Sequence, residues 1–277
     1  MSEKREISIL PERTSMGVPK LGSVFRWQNS SNVLCNYMKE QGYLNLILKN
    51  RAIIPRYVME PLGYLGLKST QKICFPMTCF CDIPFSKVST HMSRYGEFGI
   101  GLDKEAVLRK YRVQPIHYIN ADSSLADDFR SAFQASMSEH FIGEASKLTN
   151  YLASSLLFMK PIDGYIDNAE GDKVPYIYQD ECEWRFVPAD HFPESLHLIL
   201  KRYETTEKAK KKYSEVLKNH PECWLKFDWD EVRYIIVRDE VAVKNTISTI
   251  RDLKMDDEQK DLLISKIEIS KRFSENM

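Results

Sequence analysis

Residues able to do chemistry concentrate in Tyr178-Gln-Asp-Glu-Cys-Glu-Trp-Arg-Phe-Val187. Read as a β-strand, whose successive side chains point to opposite faces, this segment puts Cys182, Trp184 and Phe186 on one face and Glu181, Glu183 and Arg185 on the other. The two carboxylates then stand about 7 Å apart, next to a guanidinium. The apolar face would anchor the strand in a core and leave the polar row rigidly presented. A carboxylate held this way suits chemistry at an electron-poor sugar carbon, because fixed negative charge stabilises an oxocarbenium-like transition state without a metal. A solvated strand face laced with cross-strand salt bridges has the same pattern, so the surrounding elements must decide.

Those elements carry further polar groups in a definite order. Arg26 lies on 24–27, read as a first strand, and Thr78, Cys79, Cys81 and Asp82 lie on 73–82, read as a buried strand. Pro76 weakens the first half of that strand and Pro84 ends it. A short helix over 85–95, with Ser86 as N-cap and Gly96 just past its end, would present His91 and Tyr95 on one face, four residues apart. His91 also fits a satisfied structural histidine. Further along, 98–102, 115–119 and 232–238 read as strands, and Lys104–Tyr111 as a helix. Helical spacing marks 34–50, with a possible break at Gly42, while 54–68 reads as a long loop rich in Pro and Gly.

The whole is α+β. Residues 1–20, punctuated by Pro11, Gly17 and Pro19, read as an extended leader, and 21–277 as a single domain. A helical insertion is expected at about 123–160, where Phe129, Phe133, Met137 and Phe141 recur every four residues and Leu148, Leu152, Leu156 and Leu157 follow. Residues 201–220 read as a basic helix, followed by two helices over about 240–253 and 256–272.

Bulk properties remove several function classes. The 39 basic and 39 acidic residues among 277 cancel, so there is no polycationic field of a general nucleic-acid binder. The run Lys208–Lys212 reads as a solvated helix face or, more sharply, a phosphate-tracking patch. The charged start lacks an apolar signal core, and no apolar run approaches the ~18–20 residues that span a bilayer, so a cytoplasmic protein with no membrane partner is expected. Of six cysteines, Cys74, Cys79 and Cys81 have a spacing unlike that of zinc sites, and the set reads as buried reduced thiols, with no metal. The glycines of Phe98-Gly-Ile-Gly-Leu102 lack the lysine and spacing of phosphate loops. No Gly-x-Ser-x-Gly or His-Glu-x-x-His motif points to a hydrolase or metalloprotease.

Two resemblances follow from these residues. A basic or aromatic residue, a hydroxyl-bearing strand, an aromatic and a late Glu come in the order of the NAD site of ADP-ribosyltransferases, and Asn45-Leu-Ile-Leu-Lys-Asn-Arg-Ala-Ile-Ile-Pro55 resembles the helix after the first strand in the DarT type. Met77-Thr-Cys-Phe-Cys-Asp-Ile-Pro84, His91-Met-Ser-Arg-Tyr-Gly-Glu-Phe-Gly-Ile-Gly-Leu-Asp-Lys104 and Pro115-Ile-His-Tyr118 are similar to the abortive phage-infection family AbiGi. These segments cover about a fifth of the chain. The ADP-ribosyltransferase resemblance implies a split mixed or antiparallel sheet flanked by helices, with NAD as substrate and a nucleic acid or protein as acceptor. Glu183 would stabilise the ribose cation, Glu181 would orient or deprotonate the acceptor, Arg26 would hold a phosphate, Tyr95 would stack on nicotinamide, and Thr78 and His91 would complete the pocket. The chain departs from that pattern in lacking a Thr after Arg26 and in carrying Thr78-Cys-Phe-Cys81 where a Ser-Thr-Ser strand is expected. The AbiGi resemblance implies phage defence alongside a cognate toxin or antitoxin partner. A toxin that transfers ADP-ribose is the leading expectation, and a non-catalytic antitoxin or phage-sensing protein the alternative.

Overall fold

Alternating burial, not helical spacing, governs the start of the described chain. The computed structural model describes residues 30–68, 70–137, 144–168, 170–200 and 204–275. Arg26 and the strand expected at 24–27 lie outside them, as does Phe141. The first described element is a strand, β1 (Val33–Met38), where a helix was expected to begin. Leu34 and Met38 face one core, Val33, Cys35 and Tyr37 another, so two-sided burial overrides the apolar spacing. Helix α1 (Gln41–Asn50) follows, and left-handed Arg51 ends it. Strands β2 (Ala52–Ile53) and β3 (Arg56–Pro61) replace the expected loop, and β4 (Lys72–Cys81) follows. Next come α2 (Ser89–Tyr95), starting past Ser86, then β5 (Phe98–Asp103), α3 (Lys104–Tyr111), β6 (Gln114–Pro115) and β7 (His117–Ile119).

The expected helical insertion contains α4 (Ser124–Ser136) and α5 (Glu144–Leu156), then gives way to β8 (Met159–Pro161). A hairpin of β9 (Asp163–Asp167) and β10 (Lys173–Ile177) leads to β11 (Glu183–Phe186). The remainder is α6 (Glu207–Val216), β12 (Leu225–Lys226), β13 (Val232–Val237), α7 (Glu240–Arg251), α8 (Asp257–Ile264), β14 (Ile267–Ile269) and α9 (Lys271–Glu275). Strand β14 interrupts what reads from sequence as one last helix. Asp103, Ser123, Thr206, Asp239 and Asp256 cap α3, α4, α6, α7 and α8 with side-chain oxygens that accept an amide N–H, each worth about 1 kcal/mol.

The main sheet runs β14-β13-β5-β1-β4-β11-β6, antiparallel except for the β13–β14 pair. It divides at β4. Strand β3 pairs with β4 from Lys72 to Met77, while β1 meets β4 at the single rung Cys35–Cys81. In the gap, the Asn36 side-chain amide donates to the Cys79 carbonyl at 2.8 Å, replacing a backbone partner. Pro76 is tolerated because its missing N–H belongs on the other edge of β4, beyond the Thr78–Phe186 rung where β11 stops.

One face of the sheet carries the largest core, where Leu34, Phe80, Ile100, Leu102 and Ile235 pack under α1, α3, α7 and α8. The other face carries two separate clusters. One joins Phe75 and Met77 to Phe133, Leu152 and Leu156 of α4 and α5. The second joins Cys35 and Cys81 to Val88, Met92 and Ile236. Polar residues of β3, β8 and β11 lie between them.

Helix α2 is set against β1 by Gly96, whose φ is 114° and whose missing Cβ would lie 2.1 Å from the Met38 carbonyl oxygen. Gly96→Ala should therefore destabilise the fold by more than about 1 kcal/mol in urea unfolding. Gly42→Ala, with nothing within 4 Å of the added carbon, should be neutral or stabilising by up to about 1 kcal/mol; equal effects would contradict this account of the contact.

Candidate functional site

The strand expected over 178–187 is shorter than its pattern suggests. Tyr178–Glu181 is a 3-10 turn, Cys182 is left-handed with φ 43°, and only Glu183–Phe186 pairs as β11. Glu181 therefore does not share a strand face with Glu183, and Cys182 points out, exposed. Burial is also the reverse of expectation. Glu183 and Arg185 are buried at 7% and 0% exposure, while Trp184 and Phe186 are half-buried against the large core on the opposite face.

Glu181 and Glu183 meet through a residue from elsewhere. Lys160, on β8, places its Nζ 2.5 Å from Glu181 Oε2 and 2.8 Å from Glu183 Oε2. Arg185 donates from Nε to Glu183 Oε1 at 2.6 Å, from Nη2 to Glu60 Oε2 at 2.9 Å, and from Nη1 to the Leu157 carbonyl at 2.9 Å. Glu60 comes from β3 and is itself buried. The result is one chain of alternating charge, Glu60–Arg185–Glu183–Lys160–Glu181, which continues into the Tyr95 hydroxyl on Glu181. Tyr118 accepts the Glu183 backbone N–H at 2.9 Å, and the ring of Tyr178 lies 5.1 Å from Lys160 Nζ.

The electrostatics follow from this geometry. Burial pushes the Glu183 carboxyl up, but Arg185 and Lys160 outweigh it and hold that carboxyl well below the usual range. Burial likewise works against the charge of Lys160 and of Arg185, and their carboxylate neighbours reverse it, so both stay firmly charged. His91 behaves differently. Burial pushes it down to about 4, against the pull of Glu181 and Glu183, so the ring is neutral near pH 7.

His91, Tyr95, Glu181 and Glu183 are thus brought into one neighbourhood, the rings of His91 and Tyr95 lying 4.5 Å apart on α2. Thr78 is not part of it. Pairing of Glu183 with Cys81 and Phe186 with Thr78 puts Thr78 on the opposite face of the sheet from Glu183. Tyr95 is engaged by Glu181, and neither glutamate lines the cleft that His91 borders. His91 borders a cleft of about 780 Å³ with Asp82, Asp180 and Tyr176, whereas Thr78 borders a separate one between α1 and α6. Among the described residues no group of His, Cys, Asp and Glu could hold a metal ion, and no helix is long and apolar enough to cross a membrane.

Lys160 and Glu60 escaped the sequence reading although each left a signal. Each is a single charge inside an apolar run, Leu156-Leu-Phe-Met-Lys-Pro-Ile162 and Tyr57-Val-Met-Glu-Pro-Leu62, and a lone charge there has to be paired when its neighbours are buried.

Two outcomes test this arrangement. Arg185→Met leaves buried Glu60 without its ion-pair cation and Glu183 with Lys160 alone, and should cost about 3–5 kcal/mol in urea unfolding; a loss below 1 kcal/mol would show that the network contributes little. The second concerns pH. An unfolded histidine titrates near 6.5 and His91 near 4, so its contribution is complete above 6.5 and drains away as pH falls from there through 4. In His91→Gln the decline in urea midpoint between pH 6.5 and 4 should flatten, and an unaltered decline would remove His91 as its source.

Comparison with known proteins places this geometry. A family model described as "Putative abortive phage resistance protein AbiGi, antitoxin" matches residues 51–238, a span that includes Glu60, Lys160, Glu181, Glu183 and Arg185. Over 240 residues the chain is 29% identical to the abortive phage resistance protein AbiGi of Lactococcus lactis subsp. cremoris, covering 78% of this chain and 96% of that protein. No solved structure matches. The chain belongs to the AbiGi family of abortive phage resistance proteins.

Proposed function

We propose that this chain is a non-catalytic antitoxin, a protein that restrains a cognate toxin by direct contact during phage defence. The observation that carries this reading is the state of the two glutamates. Glu181 and Glu183 are 3% and 7% exposed, and both are bound by Lys160. A carboxylate that stabilises a ribose cation has to face the substrate across an open site, with its charge uncommitted until the transition state forms. Here both charges are already committed to permanent internal cations. The family description as an antitoxin supports the same reading.

The divided sheet is compatible with an ADP-ribosyltransferase-like frame, and we read it as a frame that retains the split without the chemistry. On this reading NAD is not consumed and no nucleic acid or protein acceptor is modified. The toxin needs an adhesive surface, and α5 offers one. Leu148 and Tyr151, three residues apart and so on one helical face, are 49% and 67% exposed.

Expression of the chain alone should be harmless and leave cellular NAD unchanged, and co-expression should suppress the toxicity of its cognate toxin. Leu148→Lys with Tyr151→Lys should abolish suppression while leaving the urea midpoint unchanged. Glu181→Gln, provided it folds, should still suppress. NAD consumption by the purified chain, abolished in Glu181→Gln, would overturn the reading in favour of an enzyme.

A further inference from the structure

We infer that the cavity at the division of the sheet is a binding site for a nucleoside monophosphate. It lies where β1 and β3 part company along β4, under α1 and α6, and encloses about 300 Å³. That is the lower end of the range for small-molecule pockets. It suits one base, one ribose and one phosphate, and half of a dinucleotide such as NAD would project into solvent.

The lining specifies the ligand class. At the mouth, the exposed side chains of Tyr43 and Leu46 on α1 border the cavity. The Arg56 guanidinium lies 5.4 Å from the centre of the Tyr43 ring. Among the described residues no carboxylate pairs with Arg56. A planar base taking the place of that cation over the Tyr43 ring would release the guanidinium to its phosphate, where it forms charge-assisted hydrogen bonds. Lys218 and Glu215, paired at 2.6 Å, both border the rim, so Arg56 is the cation there that is not already matched by a carboxylate among the described residues. At the floor stands Thr78, 4% exposed, whose hydroxyl has no hydrogen-bond partner among the described residues. Buried hydroxyls are rarely left unpaired, and a ribose hydroxyl or base edge in the cavity would satisfy it. Asn36, whose amide already bridges to Cys79, holds the two strands apart at this point. The site lies away from Glu181 and Glu183, and its existence does not depend on the antitoxin reading.

The test is calorimetric titration of the full chain with AMP, GMP, CMP and UMP, with the four corresponding nucleosides, and with inorganic phosphate and NAD. At least one monophosphate should bind saturably at one site, with its nucleoside and free phosphate each about tenfold or more weaker, since each lacks a set of contacts. Arg56→Ala should weaken the monophosphate by about tenfold or more, and Leu46→Trp, which fills the mouth from an exposed position, should abolish binding. Leu125→Trp, on the exposed side of α4, should leave it unchanged. Binding by none of the four monophosphates would overturn the proposal, as would binding that survives both Arg56→Ala and Leu46→Trp. Phosphate alone binding as tightly would reject the base slot, and NAD binding tighter than every monophosphate would reject the size argument.

Discussion

A guanidinium with no exposure to water dominates the energetics of this fold. Arg185 sits on β11, between β4 and β6, and transferring such a charge out of water is costly unless every donor is met. It is met by Glu183 two residues along its own strand, by Glu60 from β3 and by the Leu157 carbonyl at the end of α5. Those partners lie 2, 28 and 125 residues away along the chain. Satisfying one side chain therefore fixes how β3, β11 and the helical insertion sit on β4. Lys160 extends the same constraint to β8 and to the turn that carries Glu181. The alternating charges lie between two apolar clusters on one sheet face, where an error of register would strand a charge among hydrocarbon. The network thus acts on specificity of assembly more than on net stability, which buried ion pairs seldom raise relative to apolar replacements.

The same constraint bears on function. A carboxylate available for catalysis and one that completes a buried ion chain make opposite demands. The first needs access and an unmet charge; the second needs closure and saturation. Glu183 meets the second set, with its ionised form held by two internal cations. Tyr95 closes the end of the chain on Glu181, and neutral His91 stacks beside it. Membership of the AbiGi family gives this arrangement a setting in abortive phage resistance.

Division of the sheet at β4 has a separate consequence. Sheets normally exclude ligands because every backbone group is paired and every face packed. Where β1 departs after one rung and β3 takes over four residues away, a short length of β4 edge faces a cavity. Asn36 bridges it with a side chain in place of a strand. Polar and apolar groups from β1, β3 and β4 can then line a single space with α1 and α6, as they do around Thr78.

The amino-acid pattern alone determined the elements whose signals are local. Lys104–Tyr111 starts at a capping Asp103, β4 and β13 are long apolar runs with β-branched and aromatic residues, and Gly96 ends α2 because a left-handed terminus favours glycine. The segments resembling AbiGi were legible for the same reason, as contiguous residues. Tertiary contacts decided the rest. Residues 34–38 have apolar spacing that suits a helix, yet they lie in a sheet buried on both faces. Residues 56–61 carry no clear period and become a strand because β4 supplies a partner edge. The glutamate strand was the sharpest case. Period-two alternation rightly separated Glu183 and Arg185 from Trp184 and Phe186, but alternation does not say which face is dry. That depended on Lys160 and Glu60, distant in sequence, whose charges make burial of the polar face possible and turn a presented row of carboxylates into an internal one.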